Sequence, residues 1–110
     1  MDTEQQISRE LIRGHIDAIV LRLILEKDMY GFEIYKAIIN KTEGGFELKE
    51  PSMYSCLRRL DSLGHIKAYW GDETHGGRRR YYSISESGKA YYFKIRKDWE
   101  FARKIIDMLI

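Results

Sequence analysis

The chain has 110 residues and a mass of 13.1 kDa, the size of one domain. Apolar residues make up 44% and charged residues 33%, a balance that excludes a disordered or membrane-embedded chain. Net charge is only +2, but residues 1–50 carry seven Lys/Arg against ten Asp/Glu, residues 51–80 six against three and residues 81–110 six against four. Positive charge is therefore concentrated in the middle of the chain, which permits a nucleic-acid face. The apolar stretch Ile16–Leu25 is broken by Asp17 and Arg22, too short and too charged for a membrane span. Met1–Gln6 holds two acids and no apolar run, so no secretory signal is expected. The single cysteine, Cys56, allows no internal disulfide and fits a reducing, cytoplasmic setting.

Ile12, Ile16, Ile19, Val20 and Leu23 recur at helical spacing and predict a first helix from near Ser8 to just before Lys27. A second runs from about Tyr30 to Lys41 and stops at Thr42-Glu43-Gly44-Gly45. Phe46-Glu47-Leu48 reads as a short strand. Pro51 suits the first position of a third helix, which Gly64 terminates after Leu63. Met53, Cys56, Leu57, Leu60 and Leu63 share one face of it. Ser55, Arg58 and Ser62 point the other way, with Ser52 and Arg59 on one flank and Tyr54 on the other.

From His65 the period becomes two. Ile66–Trp70 predicts a strand, Gly71–Gly77 a polar loop, and Arg78–Ile84 the returning strand of a hairpin. Ser85 is a fitting N-cap for a last helix from Glu86 to the C-terminus, about 37 Å long at 1.5 Å per residue. On that helix Tyr92, Ile95, Trp99, Ala102, Ile106 and Leu109 follow gaps of 3, 4, 3, 4 and 3, the seam spacing of paired helices. A 110-residue monomer has too little surface to cover such a seam, so it predicts a homodimer interface.

The expected fold is mostly α with a small β-hairpin: a winged helix-turn-helix over residues 1–84 and a C-terminal dimerisation helix over 85–110, forming one compact unit. The helix 51–63 then offers Ser52, Tyr54, Ser55, Arg58 and Arg59 to a major groove of double-stranded DNA. Arg78, Arg79 and Arg80 at the wing are placed to neutralise phosphates or enter a minor groove. The competing reading is a winged helix that binds protein and has lost DNA. It fits less well, because its outward face should be acidic or apolar. No nucleophile–base pairing or metal-ligand spacing supports an enzyme, a metal site or a cofactor; His15, His65 and His75 are far apart in sequence.

In this order and spacing the chain resembles the PadR family of bacterial transcriptional regulators. The resemblance is carried by Leu11-Ile12-Arg13-Gly14, Tyr30-Gly31-Phe32-Glu33-Ile34, the run Pro51–Ile66, Tyr69–Glu73, Gly76–Tyr82 and Ser83–Gly88. Phe32 stands where the family commonly has tyrosine, Ser85 where it has threonine, and Gly77-Arg78 where Arg-Pro is frequent. The single C-terminal helix is similar to the family's compact, multidrug-responsive subgroup. That resemblance implies a homodimeric repressor in which the last helix packs on the partner's first helix. It also implies that planar hydrophobic compounds can occupy the dimer interface, with Trp99 as the stacking residue, whereas the residue pattern alone makes a seam tryptophan simple interface core. Asp17 and Ala18 are candidate lining residues, and the charge of Arg103, one turn beyond Trp99, disfavours cationic compounds.

Overall fold

The structure is a computed structural model that describes residues 5–72 and 77–110. Its elements run α1 (Arg9–Ile12), a 3-10 turn (Arg13–His15), α2 (Ile16–Glu26), β1 (Met29–Tyr30), α3 (Gly31–Lys41), α4 (Glu50–Ser62), β2 (Ile66–Trp70), β3 (Arg80–Ile84) and α5 (Glu86–Leu109). The sheet is antiparallel with strand order β1-β3-β2. Met29 pairs with Tyr82 on one side of β3, while Ile66 pairs with Ile84 and Trp70 with Arg80 on the other.

The N-terminal helical stretch is two pieces rather than one. Ser8 caps α1, its hydroxyl accepting from the Glu10 amide at 3.1 Å, and the chain tightens into a 3-10 turn around Gly14, a residue that weakens a continuous helix. β1 supplies a third strand beside the expected hairpin. Phe46–Leu48 is irregular instead of a strand. Leu48 is buried there, and the Tyr35 hydroxyl donates to Glu47, so this segment is fixed by side chains without a ladder.

The core is built from Val20, Leu21 and Ile24 of α2, Ile34 and Ile38 of α3, Met53, Leu57 and Leu60 of α4, and Ile66 and Tyr82 of the sheet. It holds α4 between the sheet and the two preceding helices. Gly64, at φ 79°, ends α4 in the left-handed conformation that glycine adopts without penalty. Directly after it the chain is tied to the start of α5. The Ser85 hydroxyl donates to the Gly64 carbonyl at 2.6 Å and accepts from the Gly88 amide at 3.1 Å. Ser87 donates to the same carbonyl at 3.1 Å. Gly88 lies so close to this turn that a Cβ there would sit 2.0 Å from the His65 carbonyl oxygen. The Ser-Ile-Ser-Glu-Ser-Gly segment is thus a clasp between the end of α4 and the base of α5.

Candidate nucleic-acid interface

Helix α4 presents its outward face as the amphipathic pattern requires. Met53, Cys56, Leu57 and Leu60 are buried, whereas Ser52, Ser55, Arg58 and Ser62 are exposed; Leu63, expected on the inward face, follows the end of the helix and is exposed as well. Arg58 makes no ion pair among the described residues, leaving its guanidinium available to an acceptor. Pro51, Ser52, Ser55 and Arg59 border an open groove of about 400 Å³ whose other wall is Arg13 and Ile16. Arg13 has no helical period to mark it as part of this surface. It stands at the start of the 3-10 turn and donates to Glu10 at 3.3 Å.

Two expected DNA-facing residues are engaged within the chain. Tyr54 leans over the start of α3: a Cβ on Gly31 would meet its hydroxyl oxygen at 2.2 Å, so the glycine is what lets the two helices approach. Burial, followed by the nearby Tyr82 and Glu50, raises the Tyr54 pKa. Arg59 donates through Nη2 to the Asp17 carboxylate. The same carboxylate accepts from the Tyr91 hydroxyl at 2.9 Å and from the Cys56 thiol at 3.4 Å. Burial first, and then the Asp17 charge, push the Cys56 thiol up to about 12, which makes it a protonated packing group at neutral pH.

The wing arginines rest on aromatic rings. The Arg78 and Arg80 guanidinium groups lie 5.3 Å and 5.5 Å from the centre of the Trp70 ring, and Arg79 lies 4.7 Å from that of Tyr30. Stacking of this kind orders a cation at the protein surface. The backbone reinforces it, the Gly71 amide donating to the Arg79 carbonyl at 2.7 Å. Tyr69 stacks on Tyr81 at 5.7 Å and donates its hydroxyl to Asp28, a hydrogen bond that pushes the Tyr69 pKa up to about 12. The loop tip, residues 73–76 with His75, falls outside the described residues. Helix α4 and the wing therefore place exposed arginines on two neighbouring elements of one sheet-backed unit.

Residues 20–94 match the transcriptional regulator PadR-like family. The chain belongs to this family of DNA-binding regulators. It is 45% identical over 104 residues to an uncharacterised protein of Lysinibacillus sphaericus, covering 94% of this chain and 95% of that one. A transcriptional regulator from Clostridium thermocellum superposes with a TM-score of 0.88 at 42% identity, over 94% of this chain and 98% of that one. A PadR family transcription regulator from Clostridium difficile gives a TM-score of 0.75 at 35% identity, over 87% and 98%.

The rest of this PadR-like chain is α5. Its first turns belong to the winged unit: Gly88 is buried and Tyr92 is only 8% exposed, packed in the chain's own core. This corrects the placing of Tyr92 on an open seam. Ile95 and Ala102 are half-buried by the same chain. Farther out, Trp99 is 37% exposed, Ile106 48% and Leu109 77%. Phe101, Met108 and Ile110 are exposed beside them, as are Ile7 and Leu11 near the start of the chain. Trp99 meets the edge of His15 with ring centres 4.7 Å apart. Of the candidate pocket residues around it, Ala18 is half-buried and Arg103 exposed, while the Asp17 carboxylate is committed to Arg59, Tyr91 and Cys56. No helix among the described residues is long and apolar enough to cross a membrane.

Proposed function

We propose that this chain is a cytoplasmic homodimeric repressor that seats two copies of α4 in successive major grooves of an operator. A planar hydrophobic molecule bound at the dimer interface relieves the repression. One observation carries the DNA-reading part: Ser55 and Arg58 on α4 and Arg78–Arg80 on the wing are all exposed on the same winged unit. Arg58 and Arg59 discriminate bases, because an arginine edge matches the paired acceptors of guanine. Ser52 and Ser55 contact bases or phosphates, and Arg78, Arg79 and Arg80 add affinity through phosphates.

Dimerisation is supported by the apolar outer turns of α5, where Trp99, Ile106 and Leu109 remain exposed in the single chain. Two-fold symmetry then brings one Trp99 from each copy to a shared axis, an arrangement suited to clamping a flat ring system. An effector of this kind acts by binding the operator-competent and released dimers with different affinities, since equal affinity shifts no equilibrium.

A gel-shift titration against the DNA upstream of the chain's own gene tests the reading. The expected result is a saturable complex containing two chains, weakened steeply by salt, and an upstream reporter whose expression rises when the gene is deleted. Failure to shift any duplex at low salt would transfer the winged unit to the protein-binding alternative.

A further inference from the structure

Asp17 lies on α2, away from the outer face of α4, yet its carboxylate joins three elements. Oδ1 accepts from Arg59 of α4 and from the Cys56 thiol at 3.4 Å, and Oδ2 accepts from the Tyr91 hydroxyl of α5 at 2.9 Å. The Asp17 side chain is 18% exposed and that of Arg59 51%. The carboxylate is therefore the more enclosed half of the pair, and a charge largely withdrawn from water must be paired and hydrogen-bonded, here by donors from two other helices. Tyr91 is itself held by stacking on His65 at 4.6 Å, next to the clasp that joins α4 to α5.

Arg59 contacts this carboxylate through Nη2, leaving most of the five N–H donors of a guanidinium for other acceptors. Those donors border the groove shared with Ser52 and Ser55. A long side chain that is already ordered loses less freedom on binding than one that must be ordered by its target, so a buttressed arginine selects among bases more sharply.

We propose that Asp17 is a positioning residue for sequence recognition: anchored by Tyr91, it holds the Arg59 guanidinium so that its remaining N–H edge meets the acceptor edge of a base. The assignment rests on the DNA-binding reading above and adds to it two residues that touch no DNA. It also assigns Asp17 to operator choice instead of to the lining of an effector pocket.

The test uses the full chain and two duplexes, one recovered by the wild type from a random-sequence library and a scrambled duplex of equal length. Affinities are measured by anisotropy for wild type, Asp17→Asn, Arg59→Ala, the double variant and Tyr91→Phe. Asp17→Asn is expected to reduce the preference for the selected duplex about tenfold, a loss within the worth of one base contact. Affinity for the scrambled duplex should hold or rise, because a negative charge has been removed near DNA; loss of fold would instead lower both. The double variant should match Arg59→Ala alone, and Tyr91→Phe should give a smaller loss of the same kind. Undiminished preference in Asp17→Asn, or losses that multiply in the double variant, would overturn the assignment. Should Asp17→Asn melt at the assay temperature, Tyr91→Phe decides in the same way, with unchanged preference counting against it. A wild type that selects no sequence at all defeats the DNA-reading function itself, whereas a discriminating wild type with an equally discriminating Asp17→Asn defeats only the role of Asp17.

Discussion

The winged unit and the outer half of α5 are both rich in apolar residues, but they spend them differently. In the winged unit Leu21, Ile34, Met53 and Leu60 are fully enclosed by their own chain. In the last turns of α5, Phe101, Ile106, Met108 and Leu109 face outward. The first region encloses its apolar side chains in its own core and carries polar, cationic groups on its surface. The second is a helix whose last apolar side chains stay exposed among the described residues, and contiguous apolar exposure of that kind marks an interaction surface. The clasp at Gly64, Ser85 and Gly88 lies where the two regimes meet.

The severest break in this contrast comes from charging the outer seam. Ile106→Glu with Leu109→Glu should leave the winged unit folded while abolishing the dimer. Operator affinity should fall by about 100-fold or more, since tethering two half-site readers multiplies affinity on that scale. Sedimentation and anisotropy on the same samples check it; a wild type that sediments as a monomer at micromolar concentration would remove the interface.

The clasp itself can be broken by one methyl group. Gly88→Ala forces a Cβ toward the His65 carbonyl oxygen, and should cost about 3 kcal/mol, the upper range for overpacking. Thermal unfolding would show this as a fall in Tm of more than about 10 °C. Gly14→Ala is the matched control: nothing lies within 4 Å of a Cβ there, so the change should stay within about 1 kcal/mol of wild type. Equal effects at both glycines would refute the packing explanation.

The sequence is legible wherever a local rule decides the outcome. Pro51 and Gly64 mark α4 to within a residue or two, the change to period two marks β2 and β3, and Ser85 marks the start of α5. What escapes is set by contacts distant in sequence. β1 is two residues long, too short to show alternation, and exists because β3 has an open edge for Met29 and Tyr30. A helical wheel puts Arg59 on a flank of α4 but cannot reveal Asp17, 42 positions earlier, as its partner. The 3-4 spacing on α5 is continuous from Tyr92 to Leu109, so periodicity alone cannot distinguish the turns that bury against the chain's own core from those left open.

Within the winged unit, α4 and the wing should separate by what they contribute. Arg58→Ala is expected to lose about 1–3 kcal/mol of discrimination between operator and mismatched sites. Arg78→Ala should weaken all duplexes alike and lower the slope of log K against log salt by about 0.9 for the phosphate contact removed. Trp70→Phe, which keeps a ring under Arg78 and Arg80, should have less effect than Trp70→Ala. If Arg78→Ala and Arg79→Ala leave both affinity and salt slope unchanged, the wing has no part in binding.

The two tryptophans provide the gentlest probe, because one sits in each region. Trp70 is exposed on β2 against Arg78 and Arg80, and Trp99 is on α5 against His15. In a Trp70→Phe background the remaining fluorescence reports the dimer side, and a planar aromatic compound seated between two copies of Trp99 should quench it. In a Trp99→Phe background the same compound should leave Trp70 unaltered, whereas operator DNA should perturb it. Regulation requires more than quenching: the compound must also release the operator, because a ligand with equal affinity for free and DNA-bound dimers alters neither population. Movement of the α5 seam can supply that difference by changing the separation of two α4 helices that must span about 34 Å, one turn of B-DNA. Quenching without operator release would make Trp99 part of a binding pocket that carries no signal, and absence of quenching would return Trp99 to simple packing between the two chains.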